Sequence, residues 1–303
     1  MPITLLFTFG PAALGLLLAA VRRIVRPNSP LPKTVRFWTL AAMGIALVLT
    51  LLTLLAGLMW YLPGEIPPEV SRWMNETRHL HPLVIGLLVL ALLALPHPSR
   101  ARHGHAELSP RDTFSFTARW WFVASGIVLA VIIAVTLATG LASERDAAGR
   151  YTVFSLPFGE VTASTRIYGW YYSLPALVLL AALVIVTLLV LRSLARAPFG
   201  ADRERDAAIR RTRSGNVVAA ATGAMLLHAE AVFHSVAGTS MLGVSLDAGT
   251  HGRLETGTSF AALTPTLWAL SLASAALGFA LWFLVLLTAA STRARTLRAP
   301  IPA

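Results

Sequence analysis

The sequence predicts an all-α, polytopic transmembrane helix bundle of about seven spans. It forms a single integral membrane domain over residues 1–303, with the amino terminus outside, the carboxyl terminus inside and room for a small extracytoplasmic β-hairpin. Three observations predict this. Apolar residues make up 56% of the chain and charged residues 13%, too hydrophobic a balance for an ordinary soluble domain. Apolar stretches recur at 3–21, 38–62, 80–96, 120–142, 170–191, 215–240 and 260–290, and a spanning helix needs about 20 such residues. Finally, basic residues collect on alternate loops. The first, third and fifth loops and the tail carry 19 of the 25 Lys and Arg against five acids, a balance of +14. The second, fourth and sixth loops carry the other six against eight acids, a balance of −2, with Glu230 alone inside a span. Basic flanks are retained in the cytoplasm, which sets the orientation. The overall +11 charge is thus a topology signal, and it excludes a nucleic-acid role because no basic loop interleaves aromatics for stacking.

Each element has its own signal. The first span lacks a basic segment ahead of it and is followed by Arg22, Arg23 and Arg26, so it reads as an uncleaved helix, bent near Gly10-Pro11. The third, Leu80 to Pro96, is the shortest and is expected to cross the bilayer, with a re-entrant segment as the alternative. Trp60, Tyr61, Trp73, Tyr168, Trp170, Tyr171 and Tyr172 fall at outer span ends, and Trp38, Trp120 and Trp121 at inner ones, as interfacial anchors. Between the fourth and fifth spans, Tyr151–Phe154 and Val161–Thr165 flank Pro157-Phe158-Gly159 and predict a hairpin. The fifth loop, Arg192 to Arg213, mixes signs over Asp202–Asp206 in a way that suits a solvated helical extension. His97, His103 and His105 form only a loose histidine tract.

The sixth span differs from the rest because it carries His228, Glu230 and His234. At 100° per residue Glu230 and His234 are about 40° apart and within reach of one another, while His228 points about 160° away from Glu230. A helix polar on two sides and lined with Ala219, Gly223 and Ala237 belongs inside the bundle. The seventh span offers a matching small-residue step, Ser274 and Gly278. Intramembrane ionisable groups suggest a functional site. Glu230 lies about 25 Å along the helix from Arg213, near the level expected for His79 and His81. His79, His81, Glu230 and His234 therefore form a candidate divalent-metal site, or two histidines from different helices could ligate haem. The alternative is a Glu230–His234 packing pair with no cofactor at all.

Other chemistries are excluded. The chain has no cysteine, so thiolate metal sites, iron–sulfur clusters and disulfides are ruled out. Its single lysine, Lys33, lies in a loop, which removes a retinal-type Schiff base. No Gly-x-Ser-x-Gly elbow or phosphate-cradling loop appears, and an enzyme is not expected. Heavy use of Arg over Lys, alanine-rich spans and the stretch from Gly149-Arg150-Tyr151 through Gly169-Trp170-Tyr171-Tyr172-Ser173-Leu174-Pro175 resemble multi-span membrane proteins of GC-rich actinobacteria. That family has no assigned activity, so the resemblance implies a bacterial plasma-membrane location and nothing about chemistry. The expected function is a non-enzymatic accessory or transport-associated membrane subunit whose partners are the lipid bilayer and other membrane subunits. The alternatives are a metal- or haem-binding redox or sensing protein with ligands from the third and sixth spans, and a secondary transporter using Glu230.

Overall fold

Helices dominate the computed structural model, which describes residues 2–25, 31–58, 67–95, 115–158, 161–196, 202–247 and 253–290. In chain order the helices are α1 (Pro2–Val25), α2 (Lys33–Leu58), α3 (Pro68–Thr77), α4 (His81–Ala94), α5 (Arg119–Leu141), α6 (Trp170–Arg196), α7 (Arg203–Ser240) and α8 (Thr264–Ala290). Six of them are long and apolar enough to cross a membrane, or seven spans if the bent pair α3–α4 counts as one. The expected third span, Leu80 to Pro96, corresponds to α4, which has only 14 residues, about 21 Å at ~1.5 Å each, and α3 joins it at a 69° bend. Pro82 accounts for the break, since its ring would clash with the carbonyl of Arg78 in an unbroken helix. By contrast α1 runs without interruption through Pro11. The histidine tract at 97–105, His251 and Trp60-Tyr61 lie outside the described residues.

Helix α7 is the hub. It packs against α4, α5, α6 and α8, while α1 and α2 lie against the far side of α8, and α2 also contacts α4. Composition explains the position. On α7, Ala220, Gly223 and Ala224 present almost no side chain, which lets neighbouring backbones approach closely. A Cβ on Gly86 of α4 would collide with Ala224, and one on Gly223 would lie 2.6 Å from Trp282 Nε1. Trp282 fills that notch completely buried, and its Nε1 donates to the Ala220 carbonyl at 3.1 Å. The Ser274–Gly278 step on α8 is used in part, with Gly278 set against Leu227 and the Gly223 carbonyl. Polar pairs between helices complete the seams: Asn216 Nδ2 donates to Thr288 Oγ1 at 2.8 Å, and Ser125 and Thr222 share a hydrogen bond of 2.7 Å. The outward faces of α1, α2, α5 and α6 remain apolar and exposed, as lipid-facing surfaces require.

Two small sheets sit at one end of the bundle. The expected hairpin is present as β2 (Tyr151–Phe158) and β3 (Val161–Arg166), paired from Val153↔Arg166 to Phe158↔Val161. Pro157 therefore lies within β2 rather than in the turn. A short strand, β1 (Glu144–Arg145), adds to β2 and makes three strands. A second hairpin, β4 (Gly243–Asp247) with β5 (Arg253–Gly257), was not foreseen. At the opposite end, the Arg-rich segment is less solvated than its charges suggest. Asp202 caps α7 by accepting from the Arg205 N–H, but Arg210 is only 4% exposed. Arg210 is held by Asp206 at 2.8 Å in an i,i+4 pair and by the Leu194 carbonyl at 3.0 Å, so the helix is tied to α6 there, while Asp202–Arg205 are exposed as a solvated extension requires.

Candidate functional site

Polar chemistry gathers at the hairpin end, around the break between α3 and α4. Helix α3 is cleanly two-sided. Val70, Trp73, Met74 and Thr77 fall on one face and Ser71, Arg72, Asn75 and Glu76 on the other. The apolar face is open to the surroundings, with Val70 and Trp73 46% and 59% exposed. The polar face borders a cleft of about 690 Å³. Its other walls come from Ala148 and Arg150 in the loop before β2, Arg166 at the end of β3 and Tyr172 on α6.

An aspartate turn shapes one wall of this cleft. Asp146 accepts from the backbone N–H groups of Ala148 at 2.9 Å and Arg150 at 2.8 Å, and Gly149 completes the turn at φ 76°, where a side chain would be strained. The Arg150 N–H, together with the Arg150 and Thr152 side chains, holds the Asp146 carboxyl below the usual carboxylate range. Arg150 is shifted upward, chiefly by its hydrogen bond to Asp146. Its Nη1 reaches Glu76 Oε1 at 3.1 Å, and its guanidinium lies 5.0 Å over the Tyr171 ring, so the sheet is buttoned to α3 and α6.

Behind the cleft lies an enclosed histidine pair. Bending at Pro82 drops His79 into the bundle, where it is 1% exposed and packs on Tyr168 and Tyr172 at ring separations of 4.7 and 5.5 Å. His228 on α7 is fully buried, and its Nδ1 lies 2.7 Å from the His79 carbonyl. A carbonyl only accepts, so Nδ1 of His228 carries the proton and Nε2 holds the lone pair. Arg78 Nε donates to His79 Nε2 at 3.1 Å, which assigns the ring proton of neutral His79 to Nδ1. The pair therefore offers one donor and one acceptor. Neither His79 Nδ1 nor His228 Nε2 has a hydrogen-bond partner among the described residues. Nearby, the Tyr168 hydroxyl faces Thr136 of α5 without well-formed hydrogen-bond geometry. Tyr172 joins this interior to the cleft, lining the cleft and packing on His79, while Arg78 Nη2 donates to Ser235 Oγ at 3.3 Å with Arg166 and Glu230 within its electrostatic reach.

The sequence-derived candidates are distributed over three places. His79 is in the buried pair. His81 starts α4, meets Thr77 Oγ1 at 2.9 Å and packs on Trp73. Glu230 and His234 do share a face, 4.0 Å apart, which is long for a hydrogen bond. Their side chains are 33% and 55% exposed, on the flank of α7 where Trp268 and Ser271 of α8 pass. Among the described residues, no three His, Cys, Asp or Glu side chains gather closely enough to hold a metal ion. Tyr168 and Tyr172, expected as interfacial anchors, are instead buried against the histidines, whereas Trp73 and Trp120 are exposed as anchors should be. Arg78, Arg166 and the His79–His228 pairing escaped the sequence reading. Its one usable signal was the position of His228, on the opposite face of α7 from Glu230. No protein family, curated protein sequence or solved structure matches the chain.

Proposed function

We propose that this is a non-enzymatic, transport-associated subunit of a bacterial plasma membrane, multi-pass, with its amino terminus outside and the hairpin end facing away from the cytoplasm. One observation carries the reading. Polar groups follow closely from an open cleft, whose Tyr172 wall packs on His79, to Arg78, His79 and His228 inside the bundle, and they do so where a helix is broken. Discontinuous helices serve polytopic proteins in this way, exposing polar groups to a solute path at a depth where regular helices present only side chains. The alternation of basic loops supports the orientation. The wide apolar flanks supply room for lipid and for other membrane subunits.

Two experiments test this. Gentle solubilisation from native membranes should bring a second membrane chain through purification in fixed ratio, and strictly solitary protein would defeat the subunit reading. Because the chain has no cysteine, single substitutions report sidedness. Thr162→Cys should react with a membrane-impermeant maleimide added to intact cells, and Glu204→Cys only after lysis; the reverse pattern would invert the topology.

A second reading, a metal- or haem-binding sensor, draws on His228 alone. Its Nδ1–H is fixed on a carbonyl and its Nε2 lone pair is left facing the interior, the arrangement that orients metal-ligating histidines. Bound metal or a Soret band in native protein, lost in His228→Ala, is the result it requires.

A further inference from the structure

We propose that the cleft between α3 and the three-stranded sheet is a binding site for a phosphate-type oxyanion, clamped between Arg72 and Arg166. The inference goes beyond the transport-associated reading and does not depend on it. Three arginines, Arg72, Arg150 and Arg166, line this cleft with Arg78 close to Arg166, and their acids are unevenly shared. Arg150 is committed to Asp146 and Glu76 at 3.0 and 3.1 Å. Arg78 has Glu230 within electrostatic reach and spends Nε and Nη2 on His79 and Ser235. Arg72 and Arg166 line the same cleft and have no acidic partner among the described residues. Arg166 also feels the like charge of Arg78. Arg72 and Arg166 thus present two guanidiniums to the cleft that no carboxylate among the described residues pairs with, and the guanidinium fork is suited to the paired oxygens of phosphate.

Shape agrees with charge. The cleft has a volume of about 690 Å³, within the range of roughly 300–1,000 Å³ typical of small-molecule sites. Ser71 and Asn75 add neutral hydrogen-bonding groups to the α3 wall of the cleft. Arg150 is locked as a wall, so the site is built before its ligand arrives. Two sources offer the same chemistry. Val70 and Trp73 lie exposed on the opposite face of α3, which suits a helix resting in the headgroup layer, so a phospholipid phosphate can enter from the side. A soluble phosphate can equally enter from above.

The test uses the full chain in nanodiscs of zwitterionic lipid. Inorganic phosphate is titrated calorimetrically, and in a parallel sample containing phosphatidylglycerol the retained lipid is counted by native mass spectrometry. At least one arm should show saturable binding to a single site. Arg166→Gln and Arg72→Gln should each weaken it about tenfold or more, and Arg166→Lys less, because it keeps charge but loses the fork. Arg145→Gln is the control, since Arg145 lies over the Tyr151 ring and outside the cleft. Saturation by inorganic phosphate names a soluble ligand, and phosphatidylglycerol retention without it names a headgroup. No saturable binding in either arm, or equal loss in Arg145→Gln, overturns the proposal. If Arg166→Gln fails to fold, Arg72→Gln, on an exposed helix, carries the same test. Co-purifying subunits are scored separately, so failure here leaves the transport-associated reading standing, and the converse.

Discussion

Two histidine-bearing faces of α7 behave in opposite ways. His228 is completely enclosed, anchored to a backbone carbonyl and surrounded by aromatic rings, whereas His234, six residues later, is half open beside Glu230 on the flank facing α8. Both are histidines on one helix, and six residues at 100° each put them about 120° apart around it. What differs is the neighbour. The His228 face meets the break between α3 and α4, where an unpaired carbonyl is available, and the His234 face meets Trp268 across a seam that stays open. The burial of His228 therefore follows from the interrupted helix that receives it, and not from the residue type alone.

Substitutions on the two faces should separate this contrast by size. The largest effect is expected where α7 is tightest. Gly223→Ala drives a methyl into Trp282, and overpacking of this kind costs about 1–3 kcal/mol or more, read as a lower melting temperature in detergent. On the enclosed face, His228→Leu removes the donor to the His79 carbonyl and leaves that acceptor buried and unpaired, at a cost of about 1–3 kcal/mol. Should His228→Leu prove neutral, the enclosed pair would be mere filling and the contrast would collapse. On the open flank, Glu230→Gln and His234→Ala should each shift stability by less than about 0.5 kcal/mol, because a long, half-exposed pair contributes little. A loss there as large as at His228 would mean that a partner covers the flank.

The smallest effect lies off α7 altogether, in the aspartate turn. The folded Asp146 carboxyl is depressed, so the support it lends the loop is present above the unfolded value of about 3.9 and is lost as pH falls through the lower, folded one. The amide resonances of Ala148 and Arg150 should therefore move only below about pH 4, and in Asp146→Asn that titration should vanish while the bundle is unaffected. A titration centred at the ordinary value would show that the turn does not hold the carboxylate.

Much of the bundle was legible from one dimension. Long apolar runs and small-residue steps are local properties, and they placed α1, α2, α5, α6 and α8 within about five residues of their observed ends and α7 at its far end, Ser240, although α7 begins at Arg203 because it continues into the Arg-rich segment. The third span was expected at Leu80 to Pro96 and α4 runs His81–Ala94; what the sequence did not disclose is α3, the short helix joined to it at a 69° bend just ahead of Pro82. The buried tyrosines were misplaced for a related reason. An aromatic cluster at a span end looks like an interfacial anchor until the bend in the neighbouring segment covers it, as the α3–α4 turn covers Tyr168 and Tyr172. Similarly, Arg210 looked solvated because its acceptor, the Leu194 carbonyl, belongs to another helix.

Membrane character, the helical class and the small residues that make α7 a hub were determined by the sequence by itself, since hydropathy and side-chain volume act residue by residue along the chain. Which of α7's polar faces is enclosed, which histidine is paired with which carbonyl, and which arginines share one cleft were decided only by tertiary structure. Those outcomes depend on groups far apart in the chain, such as His79 and His228 or Glu76 and Arg150, and no local pattern records where a broken helix will bring them together.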